Sequence, residues 1–128
     1  MRYLEKWIKH LASQSSLTID GQIEVEGICK RHLGPRLEYA VIRLLIESSN
    51  ALDVQFSEDL LVLDDDSKEL LDAAIYGVLN VIMVTKQFPL RNIKITCLSA
   101  DIHPIDSNKA AFIKAGMDAG QKILDSIG

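Results

Sequence analysis

Apolar positions change their period several times along the chain, and each change predicts an element. Tyr3, Leu4, Trp7, Ile8 and Leu11 fall close to the i, i+3, i+4, i+7 spacing, which predicts an amphipathic helix over Arg2 to Ala12, ended by Ser13 to Ser16. From Leu17 the pattern alternates. Ile19, Ile23 and Val25 stand opposite polar neighbours, with Asp20-Gly21 as a turn signal, so a short strand or extended arm precedes a strand from Gln22 to about Lys30. Gly34 and Pro35 break any period in HLGPRLE, which predicts a loop from His32 to Glu38. YAVIRLLIE, from Tyr39 to Glu47, is rich in Val and Ile and reads as a strand buried on at least one face. Leu52 to Phe56 then reads as its antiparallel neighbour across Ser48-Ser49-Asn50, and Leu61 to Leu63 as an extension of that strand or the start of a crossover.

Asp64, Asp65 and Asp66 precede a helical stripe of Leu71, Ala74, Ile75, Val78, Ile82 and Met83. Three acids complement the positive end of a helix, which outweighs a metal-binding reading of the triplet. Gly77 costs about 1 kcal/mol relative to Ala inside such a helix, and close approach to a sheet is the expected compensation. Asn92 to Leu98 alternates as a strand, and Asp101 to Asp106 has no apolar period. Asp106 or Ser107 is placed to accept the first free N–H groups of a last helix, Asn108 to Ile127, with an inner face of Phe112, Ala115, Gly116, Ala119, Ile123 and Ile127. Helix, strands, helix, strand, helix makes an α+β two-layer sandwich: a mixed sheet with helices on one face. Residues 1–16 form the N-terminal helix and residues 17–128 the domain.

The 128 residues suffice for one domain that removes roughly two-thirds of its unfolded surface from water. A net charge of −4 argues against nonspecific nucleic-acid binding over the whole surface and leaves room for a local basic patch. No apolar run reaches the roughly 18 residues of a membrane helix, and Glu5 and Lys9 interrupt the stretch where a signal peptide would be apolar. A cytoplasmic location follows. Cys29 and Cys97 are far apart, with no CxxC and no ligand set, so both read as small core residues; no metal and no disulfide is expected.

Phosphate loops and the common hydrolase and dinucleotide motifs are absent, so no nucleotide, no cofactor and no catalytic residue is assigned. His103 with Asp101 and Asp106 has the composition of a base and its orienting acid, but no nucleophile accompanies it. Lys30, Arg31, His32 and Arg36 gather at one strand end. If their loop lies beside the His103 loop, the pair makes a phosphate contact.

Two stretches carry a resemblance. VEGICKRHLGPRLEYAVI, from Val25, keeps Val25, Glu26, Gly27, Arg31, Gly34, Arg36 and Tyr39 of the opening strand and loop of the fourth domain of elongation factor G, the ribosomal translocation GTPase. PLRNIKITCLSADIHPIDSNKAAFIKAG lies without a gap over a later stretch of that domain, matching at Pro89, Lys94, Thr96, His103, Asp106, Ser107, Ala111, Phe112, Ala115 and Gly116. From about Gln22 onward the chain resembles this family. The resemblance implies the ribosomal protein S5 domain 2-like fold with its left-handed crossover, and a tip made by the loops at Gly34 to Glu38 and Ser99 to Asp106. In the family that tip enters the decoding region of the small subunit and contacts transfer and messenger RNA, and His103 falls on the tip histidine. The departures are a stiffer Gly34-Pro35-Arg36-Leu37-Glu38-Tyr39-Ala40 in place of a glycine-rich loop, with Ala100, Ile102 and Pro104 where the family has Gly, Tyr and Asp. They remove backbone freedom and a stacking ring.

The expectation is a stand-alone, non-enzymatic module that binds the ribosomal small subunit or a structured RNA. Arg31, His32, Gly34, Arg36, Asp101, His103 and Pro104 form its tip contacts. GTP-driven translocation is not expected of this chain alone. The alternative is a protein-interaction or homodimerisation domain working through the helix of Trp7 and Leu11.

Overall fold

A computed structural model describes residues 21–33, 36–83, 92–103 and 106–127. The expected N-terminal helix, with Trp7 and Leu11, lies outside them, as do Gly34, Pro35 and Pro104. The elements are β1 (Gln22–Leu33), β2 (Arg36–Ser48), β3 (Asp53–Phe56), α1 (Glu58–Leu61), α2 (Asp65–Ile82), β4 (Ile93–Asp101) and α3 (Lys109–Ile127). They form an α+β fold with one mixed sheet in the order β1-β2-β4-β3, in which only β3 and β4 are parallel. In β2, Glu38, Ala40, Ile42, Leu44 and Ile46 are buried at every second position, as a sheet covered on one face requires. They meet Val25 and Cys29 of β1, Ile93, Ile95 and Cys97 of β4, and the stripes of α2 and α3 in one core.

Two sequence expectations are corrected, and one left open is decided. Leu52 to Phe56 does not pair with β2; β4 takes that place, and Asp53 to Phe56 runs parallel to Lys94 to Cys97 at the sheet edge. Ile93, Ile95 and Cys97 are all buried and need neighbours on both sides, whereas a four-residue strand exposing Asp53 and Gln55 suits an edge. Of the two readings of Leu61 to Leu63, the start of the crossover holds: Leu61 ends the short helix α1, between β3 and α2. The loop expected from His32 to Glu38 is instead strand almost throughout: Leu33 pairs with Arg36, His32 with Leu37 and Arg31 with Glu38.

α2 begins as its acids predict. Asp64 caps it by accepting the Ser67 N–H at 2.8 Å, and the Ser67 hydroxyl, with this N–H second to it, holds the Asp64 carboxyl below the usual carboxylate range. A lowered pKa means that the cap's contribution is complete above that range and is lost as pH falls through it. Gly77 does not approach the sheet. A Cβ there would overlap the Ile113 carbonyl of α3, and one at Gly116 would overlap the Ala74 carbonyl of α2, so these two glycines let two parallel helices touch backbone to backbone.

α3 runs antiparallel to β1 and holds its free edge. Lys114 bonds Glu38 at 2.8 Å, the Ile28 N–H donates to Asp118 at 3.0 Å, and Lys122 donates to the Glu26 carbonyl at 2.8 Å. Four helical residues rise about 6 Å and two strand residues about 6.6 Å, so every fourth side chain meets every second strand residue. The edge at 26–28 is thereby closed to pairing with other strands.

Candidate functional site

Strand period fixes the side on which each candidate stands, and one irregularity resets it. Leu44 pairs with Cys97 but Arg43 with Ser99, so Leu98 is an extra residue in β4. Without this bulge Asp101 would share the inward side of Ile93, Ile95 and Cys97; with it, Ala100 and Ile102 pack on the core while Asp101 turns to the helix-free face. Asp101 is therefore the last residue of β4, opposite Val41, and not a loop residue as the sequence suggests.

The chain then turns tightly into α3. The His103 N–H donates to Ser107 Oγ at 2.7 Å, the Ser107 hydroxyl donates to the Tyr39 carbonyl at 2.7 Å, and the Tyr39 N–H donates to the Asp106 carbonyl at 3.0 Å. The Asp106 N–H donates to His103 Nδ1 at 3.1 Å. The Asp106 carboxylate lies 3.3 Å from the same nitrogen. Asp106 and Ser107 are thus committed to this turn. The cap of α3, expected at one of them, falls instead to Asn108, which accepts the Ala111 N–H at 2.8 Å.

Above the turn stands a small cluster that no sequence pattern singles out. The Tyr39 ring meets the His103 ring edge-on, with centroids 6.4 Å apart, and Lys30 Nζ lies over the Tyr39 ring, 5.5 Å from its centroid. Lys30 is the strand partner of Tyr39, so the alternation that made β1 and β2 strands also carries this pairing. Arg31 is exposed on the helix side, opposite Glu38. His32 and Arg36 are placed by backbone register only, and Arg36 stands three residues beyond Tyr39, roughly 10 Å further along the hairpin. His103, Tyr39 and Lys30 therefore come together at one level, and the end of the hairpin projects past them.

Glu38 is the one buried charged residue among those described, with its side chain 7% exposed against 38% for Lys114. Removing the lysine strands a desolvated carboxylate. Breaking a fully buried pair costs about 3–5 kcal/mol; solvent at Lys114 screens this one, so Lys114→Met is expected to cost about 1–2 kcal/mol. Replacing both residues with leucine should recover most of that loss, which a double-mutant cycle by urea denaturation measures.

On the helix side of His103 a cleft of about 740 Å³ opens toward the start of α2, with Ser107 and Lys109 on one wall and Asp64, Asp66 and Glu69 on the other. This end of the molecule thus has a basic side along the hairpin and an acidic lip along α2. Cys29 and Cys97 are buried free thiols; burial pushes Cys97 up to about 11 and raises Cys29. No group of three or more potential metal ligands occurs among the described residues, and no described helix is long and apolar enough to cross a membrane.

A crystal structure of a protein from Thermus thermophilus superposes on the chain with a TM-score of 0.71 at 20% sequence identity. What is shared is the fold. The match covers 88% of this chain and 17% of the Thermus chain, so this chain spans about a sixth of that protein. No protein-family model and no curated protein matches the sequence.

Proposed function

We propose that the chain is a non-enzymatic module of the kind found as the fourth domain of elongation factor G, binding the ribosomal small subunit or a structured RNA through its hairpin end and the His103 turn. The observation that carries this reading is the fastening of Tyr39 to Asp106 and Ser107, because it joins the two sequence stretches that carry the resemblance. Lys30 supplies exposed positive charge beside the Tyr39 and His103 rings, and Arg31 adds exposed charge on the other face of the same strand, a combination of phosphate contact and flat surface that suits RNA. The net charge of −4 is compatible with such binding through the hairpin side, whereas the acids at the start of α2, across the cleft from Ser107 and Lys109, disfavour a phosphate on the helix side of His103.

Co-sedimentation with ribosomes and isolated small subunits tests the reading. Binding is expected at low salt and to weaken steeply toward physiological salt. Lys30→Ala and Arg36→Ala should each weaken it and lower the salt slope by about 1 if each removes a phosphate contact, and His103→Ala should weaken it with little change in slope. No binding at low salt would sink the proposal.

A further inference from the structure

One broad surface of the domain belongs to neither the core nor the hairpin end: the face of the sheet opposite the helices. Ile28 stands beside Val41 across β1 and β2, and Leu45 beside Thr96 across β2 and β4. All four are only partly exposed, and none packs with the core, which lies behind the strands. Arg43 crosses between them to Glu24 and Glu26, at 3.6 and 3.3 Å. No described element lies on this face.

We propose that it is the docking surface for this chain's own residues 2–12, seated with Tyr3, Leu4, Trp7, Ile8 and Leu11 against the sheet. Three observations select this occupant. The first is attachment: the segment joins the fold at Gly21, at the start of β1, and Gly21 has φ +81°, a left-handed conformation that turns the chain out of the strand direction. The second is length. An 11-residue helix is about 16 Å long and spans about five strand residues, and the eight residues 13–20 reach up to about 27 Å, enough to lay it back over Leu45 and Val41. Of the other exposed large apolar residues, Leu61 and Val62 at 56% and 84% exposed follow β3 at the hairpin end, opposite Gly21; Leu52 precedes β3 at the far edge of the sheet; and Tyr76 and Met117 stand on the helices, on the other side of the molecule. The third is charge. In the segment, Arg2, Lys6 and Lys9 outnumber Glu5, whereas on β1 and β2 Glu24, Glu26 and Glu47 outnumber Arg43 and Lys30 on this face. Tethering also gives the segment an effective concentration on the order of millimolar, which a second copy does not reach in dilute solution.

Trp7 is the only tryptophan, so the full-length chain reports on itself. Its fluorescence should be blue-shifted and protected from iodide at every protein concentration, with a monomeric mass by light scattering. Leu45→Lys should shift the emission to the red and restore quenching while far-ultraviolet circular dichroism stays native; Thr96→Lys, a milder change at a half-exposed position, should do the same in part. Solvent-exposed emission in the wild type overturns the proposal without any variant. Blue-shifted emission that appears only as the chain dimerises also overturns it and assigns the face to a second copy. Native-like variants that leave the emission unchanged overturn it as well, because Trp7 would then be buried elsewhere.

Discussion

Gly116→Ala is expected to lower the stability of the domain by roughly 2 kcal/mol and its melting temperature by about 10 °C, although alanine is the better helix former. Helix propensity alone favours the change by about 1 kcal/mol. It is outweighed because the new methyl would meet the Ala74 carbonyl of α2, and backbone cannot rotate aside as a side chain can. The two helices must move apart, and Gly77 loses its own contact with Ile113 as they do. Gly116→Val lacks most of the propensity gain and carries a larger group, so it should cost more. Urea denaturation checks the order; an alanine variant as stable as the wild type would mean that the helices do not touch here.

Phe112→Ala should have the largest effect of any single truncation, about 3–5 kcal/mol, a large share of the 5–15 kcal/mol that holds an ordinary domain together. Phe112 is fully buried and is the largest such side chain in the core. It lies one turn past the Asn108 cap of α3, between the helix pair and the sheet, so the cavity cannot be filled without displacing both layers. Phe112→Leu keeps most of the apolar volume and should cost clearly less. Differential scanning calorimetry on the two variants decides it, and near-equal losses would mean that the site collapses readily around alanine.

Much of this architecture is written in local periods. Alternation from Tyr39 to Glu47 and from Asn92 to Leu98, the 3.6-residue stripe after Asp64, and the small residues at 115, 116, 119 and 120 each give the right element and the right buried side. What they leave out depends on partners distant in sequence. Gly-Pro marks a break but not its width, and the ladder continues to Leu33 and Arg36 from both sides. Nothing near Asp53 says whether β2 or β4 is its neighbour; that is settled by how apolar β4 is on its inner side. A bulge at Leu98 leaves no mark in composition, yet it decides that Asp101 faces out. The site is legible as two stretches, and the meeting of Tyr39 with His103 and Ser107 is not, because Ser107 looks like a helix cap until its hydroxyl is seen on the Tyr39 carbonyl.

The track of α3 along β1 has a further consequence. Because Lys114, Asp118 and Lys122 step along β1 from the level of Arg31, the partner of Glu38, to Glu26, the helix finishes toward the beginning of β1. Gly21 and Ile127 therefore both lie toward one pole of the molecule, and the hairpin occupies the other. A domain whose strand β1 begins and whose helix α3 ends toward one pole can be spliced into a longer polypeptide as a cassette, and a label, resin or fusion partner joined after α3 leaves the opposite pole free. The Thermus chain, of which the matched region is 17%, carries the same fold within a longer polypeptide.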